Sequence, residues 1–394
     1  MSPLRLILAA AFAALLNAAP ARAENFQTGF AHAILIDANS GAVLFEKGAE
    51  DYVAPASTVK IMTAEMIFNE LKQGKIHLDD EYEISEHAWR DGGAHSRGSA
   101  MFADVHTKVR VEDLIRGLVI VSGNDAAIAL AEGLAGSEDA FVIRMNKRGS
   151  ELGLTKSSFG NPWGQAGPDQ KVTPREMAFL AEHIINTYPE YYHYFGEKDF
   201  LWNKIKQPNR NPLINQNIGV DGLKTGNIDE KSGYNIVASA VEEGRRLILA
   251  GYGAKTAKDR AEEARKLLQW GFRAFEEKFL FKADEPVGAA QVYGGTEGSV
   301  PVAAKMDLRV LLPRTSQDKL SGRLVYEGPV VAPVQAGQKI GHIEIKRGAS
   351  VILDQPVYAT ESVEQGSLPR RAFDAAYETA AATIHDRLER LKKK

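Results

Sequence analysis

Three short motifs bring together residue types that can form and break a covalent bond to a carbonyl carbon. They are an S-x-x-K motif at residues 57–60, an S-x-N motif at 122–124 and a K-T-G motif at 224–226. A serine hydroxyl is a poor nucleophile until a neighbouring base accepts its proton, and a lysine accepts a proton only as the free amine. Burial, the positive end of a helix dipole and a second nearby cation each favour that free amine. Ser57 is therefore the candidate nucleophile, and Lys60 is the candidate base.

The surroundings of the first motif separate it from a second copy. Another S-x-x-K lies at 316–319 in a β-rich stretch, where residues three apart do not share a helical face. Ser57 follows Pro55 at the start of an apolar helical stretch, so its side chain and that of Lys60 are expected one turn apart on the same face. The backbone N–H of Ser57 at this helix end can also bind an oxyanion. Taken alone, the pair is more common as an N-cap serine and a solvated lysine.

The other two motifs supply groups for proton transfer and substrate binding. The Ser122 hydroxyl can relay a proton to a leaving amine, and the Asn124 amide can bind a substrate carbonyl. Lys224 can bind a carboxylate or act as the second cation near Lys60, and Thr225 can add a hydrogen bond. Each motif alone also fits a plain turn, because Ser, Gly and Asn commonly close such connections.

Hydrophobic patterning predicts the elements that must position these residues. Helices are predicted at 57–74, 111–135, 137–152, 174–187 and 258–275. Strand-like runs lie at 31–37, 42–46, 219–225, 235–241 and 247–251. Strands at both ends with helices between them predict an α+β domain over residues 24–281 in which both ends share one sheet. Short segments broken by Gly and Pro predict a small β-sandwich or barrel over 282–369.

The composition is that of a globular protein. The chain has 394 residues, of which 44% are hydrophobic and 25% are charged, and these proportions exclude a disordered or fibrous class. A formal net charge of −3 gives no reason to expect a nucleic-acid partner. The absence of cysteine excludes disulfides, thiolate metal sites and a cysteine nucleophile.

The two ends of the chain predict export and contact with a membrane. Arg5, the apolar run 6–19 and the small residues Ala21 and Ala23 fit a signal peptide of 23 residues, so we expect export to the periplasm. Residues 370–394 place apolar side chains on one helical stripe ringed by Arg and Lys, which is typical of a peripheral anchor on the inner membrane. A helix packed on its own domain, or a solvated tail, fits this pattern nearly as well.

The three motifs together resemble those of the penicillin-recognising serine enzymes. Their spacing, 122 − 57 = 65 and 224 − 122 = 102 residues, resembles the D-alanyl-D-alanine carboxypeptidases among the low-molecular-mass penicillin-binding proteins. The likeness covers about residues 26–280 strongly and 282–369 more loosely. It implies a β-lactamase/transpeptidase-like catalytic domain with an antiparallel sheet and helices, then a small all-β domain and a C-terminal amphipathic helix.

The resemblance implies a serine peptidase that removes the terminal D-alanine from peptidoglycan stem pentapeptides and that β-lactam antibiotics acylate, with no cofactor and no metal. The implied roles are nucleophile for Ser57, base for Lys60, proton transfer for Ser122, substrate binding for Asn124 and Lys224, carboxylate binding for Thr225 and Arg210, and an oxyanion hole of the backbone N–H groups of Ser57 and Asn227. Arginine suits a free carboxylate, although a surface-loop role for Arg210 is about as common. The family often has His or a small residue and then Thr after K-T-G, whereas Asn227 and Ile228 follow here, so only a backbone role is carried over to Asn227.

Other functions share part of this pattern. A class A β-lactamase needs a glutamate between the second and third motifs, and the loop 157–174 contains none. A zinc peptidase is disfavoured because the nine histidines form no H-E-x-x-H or H-x-x-E-H motif. A non-catalytic cell-wall binding module and a D,D-endopeptidase of peptidoglycan cross-links remain. The endopeptidase is the closest competitor, and the β-rich domain favours the carboxypeptidase without settling the choice.

Overall fold

The structure is a computed structural model that describes residues 26–227, 233–316 and 318–372. Within these residues it forms two compact units, the first ending at Phe275 and the second beginning at Glu276. The predicted signal peptide and residues 373–394 of the predicted tail lie outside the described part of the chain. No helix in the described part is long and apolar enough to cross a membrane.

The first unit is built on one antiparallel sheet. The strands of the first unit are β1 (His32–Asp37), β2 (Val43–Lys47), β3 (Glu81–Glu83), β4 (Lys108–Arg110), β5 (Asp199–Trp202), β6 (Ile205–Pro208), β7 (Val220–Asn227), β8 (Tyr234–Glu242) and β9 (Arg245–Ala254). Five of them form a sheet in the order β2-β1-β9-β8-β7. The first strands of the chain therefore pair with its later strands, which confirms the predicted α+β arrangement. The ribbons β3–β4 and β5–β6 were not predicted from the sequence.

Helices cover and extend this sheet. They are α1 (Lys60–Lys72), α2 (Val111–Val119), α3 (Asn124–Ala135), α4 (Glu138–Glu151), α5 (Pro174–Thr187), α6 (Pro189–Tyr192) and α7 (Ala257–Ala274). The single helix predicted at 111–135 is wrong, because α2 and α3 are separate helices. Ser122 lies between them with a φ of 65°, a conformation that a right-handed α-helix does not contain.

Helix α1 is the central element of the first unit. Eleven of its thirteen residues are buried, including the charged Lys60, Glu65 and Glu70. A helix that is buried on nearly every side must be surrounded by other elements, and its apolar residues join one core with those of α2 to α5 and of the sheet. The start of α1 is thereby fixed in the interior of the unit, where the first motif lies.

The second unit consists of strands. They are β10 (Phe275–Phe281), β11 (Pro286–Tyr293), β12 (Ser299–Ala303), β13 (Leu308–Pro313), β14 (Leu320–Tyr326), β15 (Val330–Val331), β16 (Lys339–Arg347) and β17 (Ser350–Ala359). Six of them form a sheet in the order β14-β16-β17-β12-β11-β15, and β10 pairs with β13. Alternate residues such as Ile343 and Ile345 enter a separate apolar core. The predicted all-β domain is confirmed.

Candidate active site

The serine of the first motif lies on a tight turn that precedes α1. Residues Ala56–Val59 form a 3₁₀-helix, and α1 begins only at Lys60. The turn is held by the Thr58 hydroxyl, which donates to the Pro55 carbonyl over 2.7 Å, and by the positive φ of 50° at Ala56. Ser57 was predicted on the α-helix itself. The tighter turn keeps its side chain within reach of the side chain three residues later.

The amine of Lys60 lies 3.1 Å from the Ser57 hydroxyl oxygen. It also donates to the Asn124 side-chain oxygen over 2.7 Å and to the Trp163 carbonyl over 2.5 Å. The side chain is completely buried. This burial lowers the pKa of Lys60 from 10.5 to about 7, against the opposing charge of Asp125. At neutral pH a large fraction of this amine is therefore unprotonated and able to accept a proton.

The second motif is formed by the turn between α2 and α3. Ser122 is 3% exposed, and within the described residues its hydroxyl has no hydrogen-bond partner. Asn124 is the first residue of α3, and its side-chain oxygen reaches Lys60. The two motifs are thus joined by a direct side-chain contact.

Asp125 anchors the segment that faces this turn. Its carboxylate accepts hydrogen bonds from the backbone N–H groups of Met101, Phe102 and Ala103, and from that of Ala126 on its own helix. Burial raises the pKa of the Asp125 carboxyl, and these four donors oppose the shift. The residue fixes α3 against a loop, although it carries no predicted chemical role.

The third motif lies on β7, directly against the turn Ala56–Val59, which we call the nucleophile turn because it carries the predicted nucleophile Ser57. A Cβ atom at Gly226 would lie 3.1 Å from the Ser57 backbone nitrogen, so the absence of a side chain permits this close approach. Gly164 approaches from another element, since a Cβ there would lie 2.7 Å from the same nitrogen. Asn227 ends β7 beside this point, and its side-chain amide donates to the Gly233 carbonyl over 3.2 Å.

Lys224 is the second buried lysine of the cleft. It is 1% exposed, and its amine donates to the Thr225 carbonyl over 3.1 Å. Burial lowers the pKa of Lys224 well below its usual value, and the positive charges of Lys60, Arg260 and Arg210 lower it further. Gly226 of the same motif lies against the Ser57 backbone nitrogen, so the third motif stands beside the first.

Arg210 connects the second and third motifs. Its guanidinium donates to the Val121 carbonyl over 3.3 Å and to the Gln207 side chain over 3.1 Å. The Thr225 hydroxyl donates to the Arg210 carbonyl over 3.3 Å. The exposed guanidinium therefore stands beside the residue that precedes Ser122. All the residues singled out by sequence belong to the first unit, and contacts link the three motifs there.

Two contributors to the site were missed in the sequence. The first is the Trp163 carbonyl, and the second is Asn161, whose side chain holds the backbone around it. A backbone carbonyl has no residue-type signature, so the fold alone reveals the first. The Asn161-Pro162-Trp163-Gly164 run is a recognisable turn sequence, but its position beside Lys60 required the three-dimensional structure.

A group of potential metal ligands occurs in the second unit. His342, Glu344 and Asp354 bring ligand atoms within 4.8 Å of one another on the partly exposed face of β16 and β17. Lys346 lies 3.2 Å from Glu344 and already neutralises part of this charge. None of the predicted site residues belongs to the group.

Comparison with known proteins identifies the family. Residues 19–256 match the family described as D-alanyl-D-alanine carboxypeptidase, and 275–365 match that described as penicillin-binding protein 5, C-terminal domain. The D-alanyl-D-alanine carboxypeptidase DacC of Escherichia coli (strain K12) is 40% identical over 344 residues, which are 86% of this chain and 86% of that protein.

Solved structures extend the likeness to the fold. Penicillin binding protein 5 from Haemophilus influenzae matches with a TM-score of 0.78 and 39% identity, covering 87% of this chain and 100% of that chain. Penicillin-binding protein D2 from Listeria monocytogenes, in its ampicillin bound form, matches with a TM-score of 0.55 and 26% identity, covering 64% and 100%. Because the family match spans well over half of its residues and includes all three motifs, the chain belongs to the D-alanyl-D-alanine carboxypeptidase family.

Proposed function

We propose that the protein is a serine-type D-Ala-D-Ala carboxypeptidase that removes the terminal D-alanine from peptidoglycan stem pentapeptides. The observation that carries this proposal is the buried amine of Lys60, which has a pKa of about 7 and lies 3.1 Å from the Ser57 hydroxyl. An ordinary surface lysine would remain protonated at neutral pH and could not act as a base. Membership of the family supplies the substrate class.

Acylation begins when the Lys60 amine accepts the Ser57 proton. The serine oxygen attacks the carbonyl carbon of the penultimate D-alanine, and negative charge develops on the carbonyl oxygen. The backbone N–H groups of Ser57 and Asn227 stabilise that charge. When the tetrahedral intermediate collapses, the peptide C–N bond breaks and a proton passes to the leaving amine through Ser122. Among the residues that the structure describes, the Ser122 hydroxyl has no hydrogen-bond partner, so it is available to donate to the leaving amine.

The terminal carboxylate of the substrate meets the cations of the cleft. Thr225 and Arg210 bind it, while Asn124 and Lys224 hold the rest of the peptide. A guanidinium matches a carboxylate with two parallel hydrogen bonds, and the exposed Arg210 group is available from the solvent side. Water then attacks the acyl-enzyme, releasing the shortened peptide and restoring the Ser57 hydroxyl.

β-Lactam antibiotics are proposed to acylate the same serine. Their strained amide and carboxylate present the same two groups as the peptide, so the same attack by Ser57 opens the ring. The ampicillin-bound relative from Listeria monocytogenes supports this partner class. The loop 157–174 supplies no glutamate to activate a deacylating water, which favours a long-lived adduct over rapid drug hydrolysis.

The experiment that tests the function follows the adduct and the product together. Intact-protein and peptide mass spectrometry after penicillin exposure is expected to place the adduct on Ser57, and S57A is expected to lose both the adduct and D-alanine release. Purified cross-linked muropeptide serves as the competing substrate, since faster cleavage of cross-links than of pentapeptide would indicate an endopeptidase. Rapid multiple turnover of nitrocefin would instead indicate a β-lactamase.

The protein is also proposed to act outside the cytoplasm. The signal-peptide pattern of residues 1–23 supports export to the periplasm, and the basic amphipathic pattern of 370–394 supports peripheral contact with the inner membrane. Both segments are read from the sequence alone. Peptidoglycan, the proposed substrate of the protein, is consistent with a location outside the cytoplasm.

A further inference from the structure

The hydrogen bonds of Lys60 constrain the direction of its lone pair. A neutral amine has two N–H groups and one lone pair, whereas three oxygen atoms lie within hydrogen-bond distance of this nitrogen. The oxygens of Asn124 and of the Trp163 carbonyl can only accept. Once they take both N–H groups, the lone pair is left for the third neighbour, the hydroxyl of Ser57.

The first of these acceptors is fixed by a helix, and the second is fixed by a loop. Asn124 begins α3 and is 8% exposed. The Trp163 carbonyl belongs to the loop between α4 and α5, whose neighbours at 165–169 are exposed. The orientation of the Lys60 amine therefore depends on the contacts that hold the peptide group of the Trp163 carbonyl in place.

Asn161 holds that peptide group from within the loop. Its side-chain oxygen accepts the backbone N–H groups of Trp163, Gly164 and Gln165 over 3.3, 2.7 and 3.0 Å. Its amide donates to the Gln165 carbonyl over 2.9 Å, and the residue is 9% exposed. The Gly164 N–H and the Trp163 carbonyl belong to the same peptide plane, so fixing the first fixes the direction of the second.

The side chain of Trp163 gives a second restraint from another element. Its indole N–H donates to Glu138 on α4 over 3.2 Å. Gly164 is pressed against the nucleophile turn, where a Cβ atom would lie 2.3 Å from the Ala56 carbonyl oxygen. Both residues of this peptide group are thus held, Trp163 by Glu138 and Gly164 by the turn, and Asn161 bonds to the peptide group itself.

We propose that Asn161 is a positioning residue that directs the lone pair of the Lys60 amine at Ser57 by holding the Trp163 carbonyl in place, an inference that rests on the proposed role of Lys60 as the base. Loss of this restraint lets the amine rotate away from the serine while the substrate-binding groups stay unchanged. The acylation rate constant is then affected, and the affinity for penicillin is not.

Asn146, on α4, provides a matched control that holds the same loop at another point. Its side chain also binds loop backbone, donating to the Phe159 carbonyl over 2.7 Å and accepting the Phe159 N–H over 3.0 Å. It makes no contact with Trp163 or Lys60 among its hydrogen bonds. N146A therefore reports what general loosening of the loop does to catalysis.

The test measures the acylation rate constant and the penicillin dissociation constant separately, by stopped-flow labelling of the full chain with a fluorescent penicillin. N161A is expected to slow acylation about tenfold with a nearly unchanged dissociation constant, whereas N146A stays within about twofold of the parent. N161D keeps the acceptor oxygen and is expected to recover most of the rate at alkaline pH. Equal losses in N161A and N146A, or in N161A and N161D, would overturn the proposal.

A second pair of variants covers failure of N161A to fold. W163F removes the bond to Glu138 and keeps the ring, while W202F removes an indole N–H that has no partner within the described residues. Slower acylation in W163F alone supports the proposal, and equal rates in the pair contradict it. A parent protein that penicillin does not acylate would refute the proposed function itself, whereas normal acylation in both parent and N161A refutes only this inference.

Discussion

Two completely buried lysines in one cleft decide the chemistry of this site. Lys60 and Lys224 donate their hydrogen bonds to neutral oxygens, and the nearest acid, Asp125, acts on Lys60 only through its charge. An ammonium ion without a paired carboxylate is expensive to bury, so the folded protein favours the free amine. The packing of the first unit therefore generates the free amine that we propose as the base.

Replacing the base tests this argument directly. K60R is expected to lower the acylation rate by about 10²–10⁴-fold, because a guanidinium stays protonated and cannot accept the serine proton. The matched control is K72R, at an exposed lysine of the same helix. Stopped-flow penicillin labelling measures both, and a K60R protein as fast as K72R would exclude Lys60 as the base.

The pKa of Lys60 also predicts the pH dependence of acylation. Since the free amine is the active form and the pKa is about 7, the rate is expected to rise with pH and to reach half of its maximum near pH 7. The unfolded chain has the ordinary pKa of 10.5 and binds more protons between pH 7 and 10.5. This lysine therefore makes the folded state less stable as pH falls through that window. A labelling rate that stays flat from pH 5 to 9 would contradict the assignment.

The elements that hold the site were only partly predictable. Spacing along a helix predicted that Ser57 and Lys60 lie together, and the resemblance to the penicillin-recognising serine enzymes implied that the K-T-G strand joins them. The prediction of one helix over 111–135 was wrong because the apolar residues on both sides of Ser122 continue a helical pattern, although Ser, Gly and Asn at 122–124 also fitted the turn that separates α2 from α3. The Trp163 carbonyl was missed because every residue has a carbonyl, and only the fold selects one.

Gly164 tests how closely these elements must pack. It has a φ of 104°, and a Cβ atom would lie 2.3 Å from the Ala56 carbonyl oxygen. G164A is therefore expected to destabilise the fold by roughly 1–3 kcal/mol and to slow acylation by displacing the nucleophile turn. Gly167, in the same loop, has nothing within 4 Å of a Cβ position and provides the control G167A. Thermal unfolding and labelling rates give the comparison, and matching values for the two variants would show that the turn tolerates displacement.

At the scale of the whole molecule, the sequence predicted two units, the first with helices and strands and the second with strands alone. The change from helix-rich to strand-rich patterning was visible because alternation and Gly/Pro breaks persist over many residues. The ribbons β3–β4 and β5–β6 were not visible, because strands of three or four residues are too short to show a period. A sheet shared by both ends of the first unit was predicted, whereas the strand order, with β9 rather than β7 or β8 beside β1, was not contained in any local pattern.

The predicted C-terminal anchor would determine where the whole molecule is located, by binding it to a membrane surface. Deleting residues 370–394 is expected to reduce sedimentation of the protein with anionic lipid vesicles, since the basic residues of the tail would be lost. Release of D-alanine from a soluble pentapeptide should be unchanged. Zwitterionic vesicles serve as the control surface. Undiminished binding to anionic vesicles would place the membrane contact elsewhere.

The two glycines against the nucleophile turn limit how this protein can evolve under antibiotic exposure. Gly164 and Gly226 leave no room for a larger side chain beside the Ser57 nitrogen, and an inward shift of either would disturb the amide that we propose binds the oxyanion of the natural peptide. A substitution that excluded penicillin by narrowing the space beside the Ser57 nitrogen would therefore also impair hydrolysis of the peptidoglycan peptide.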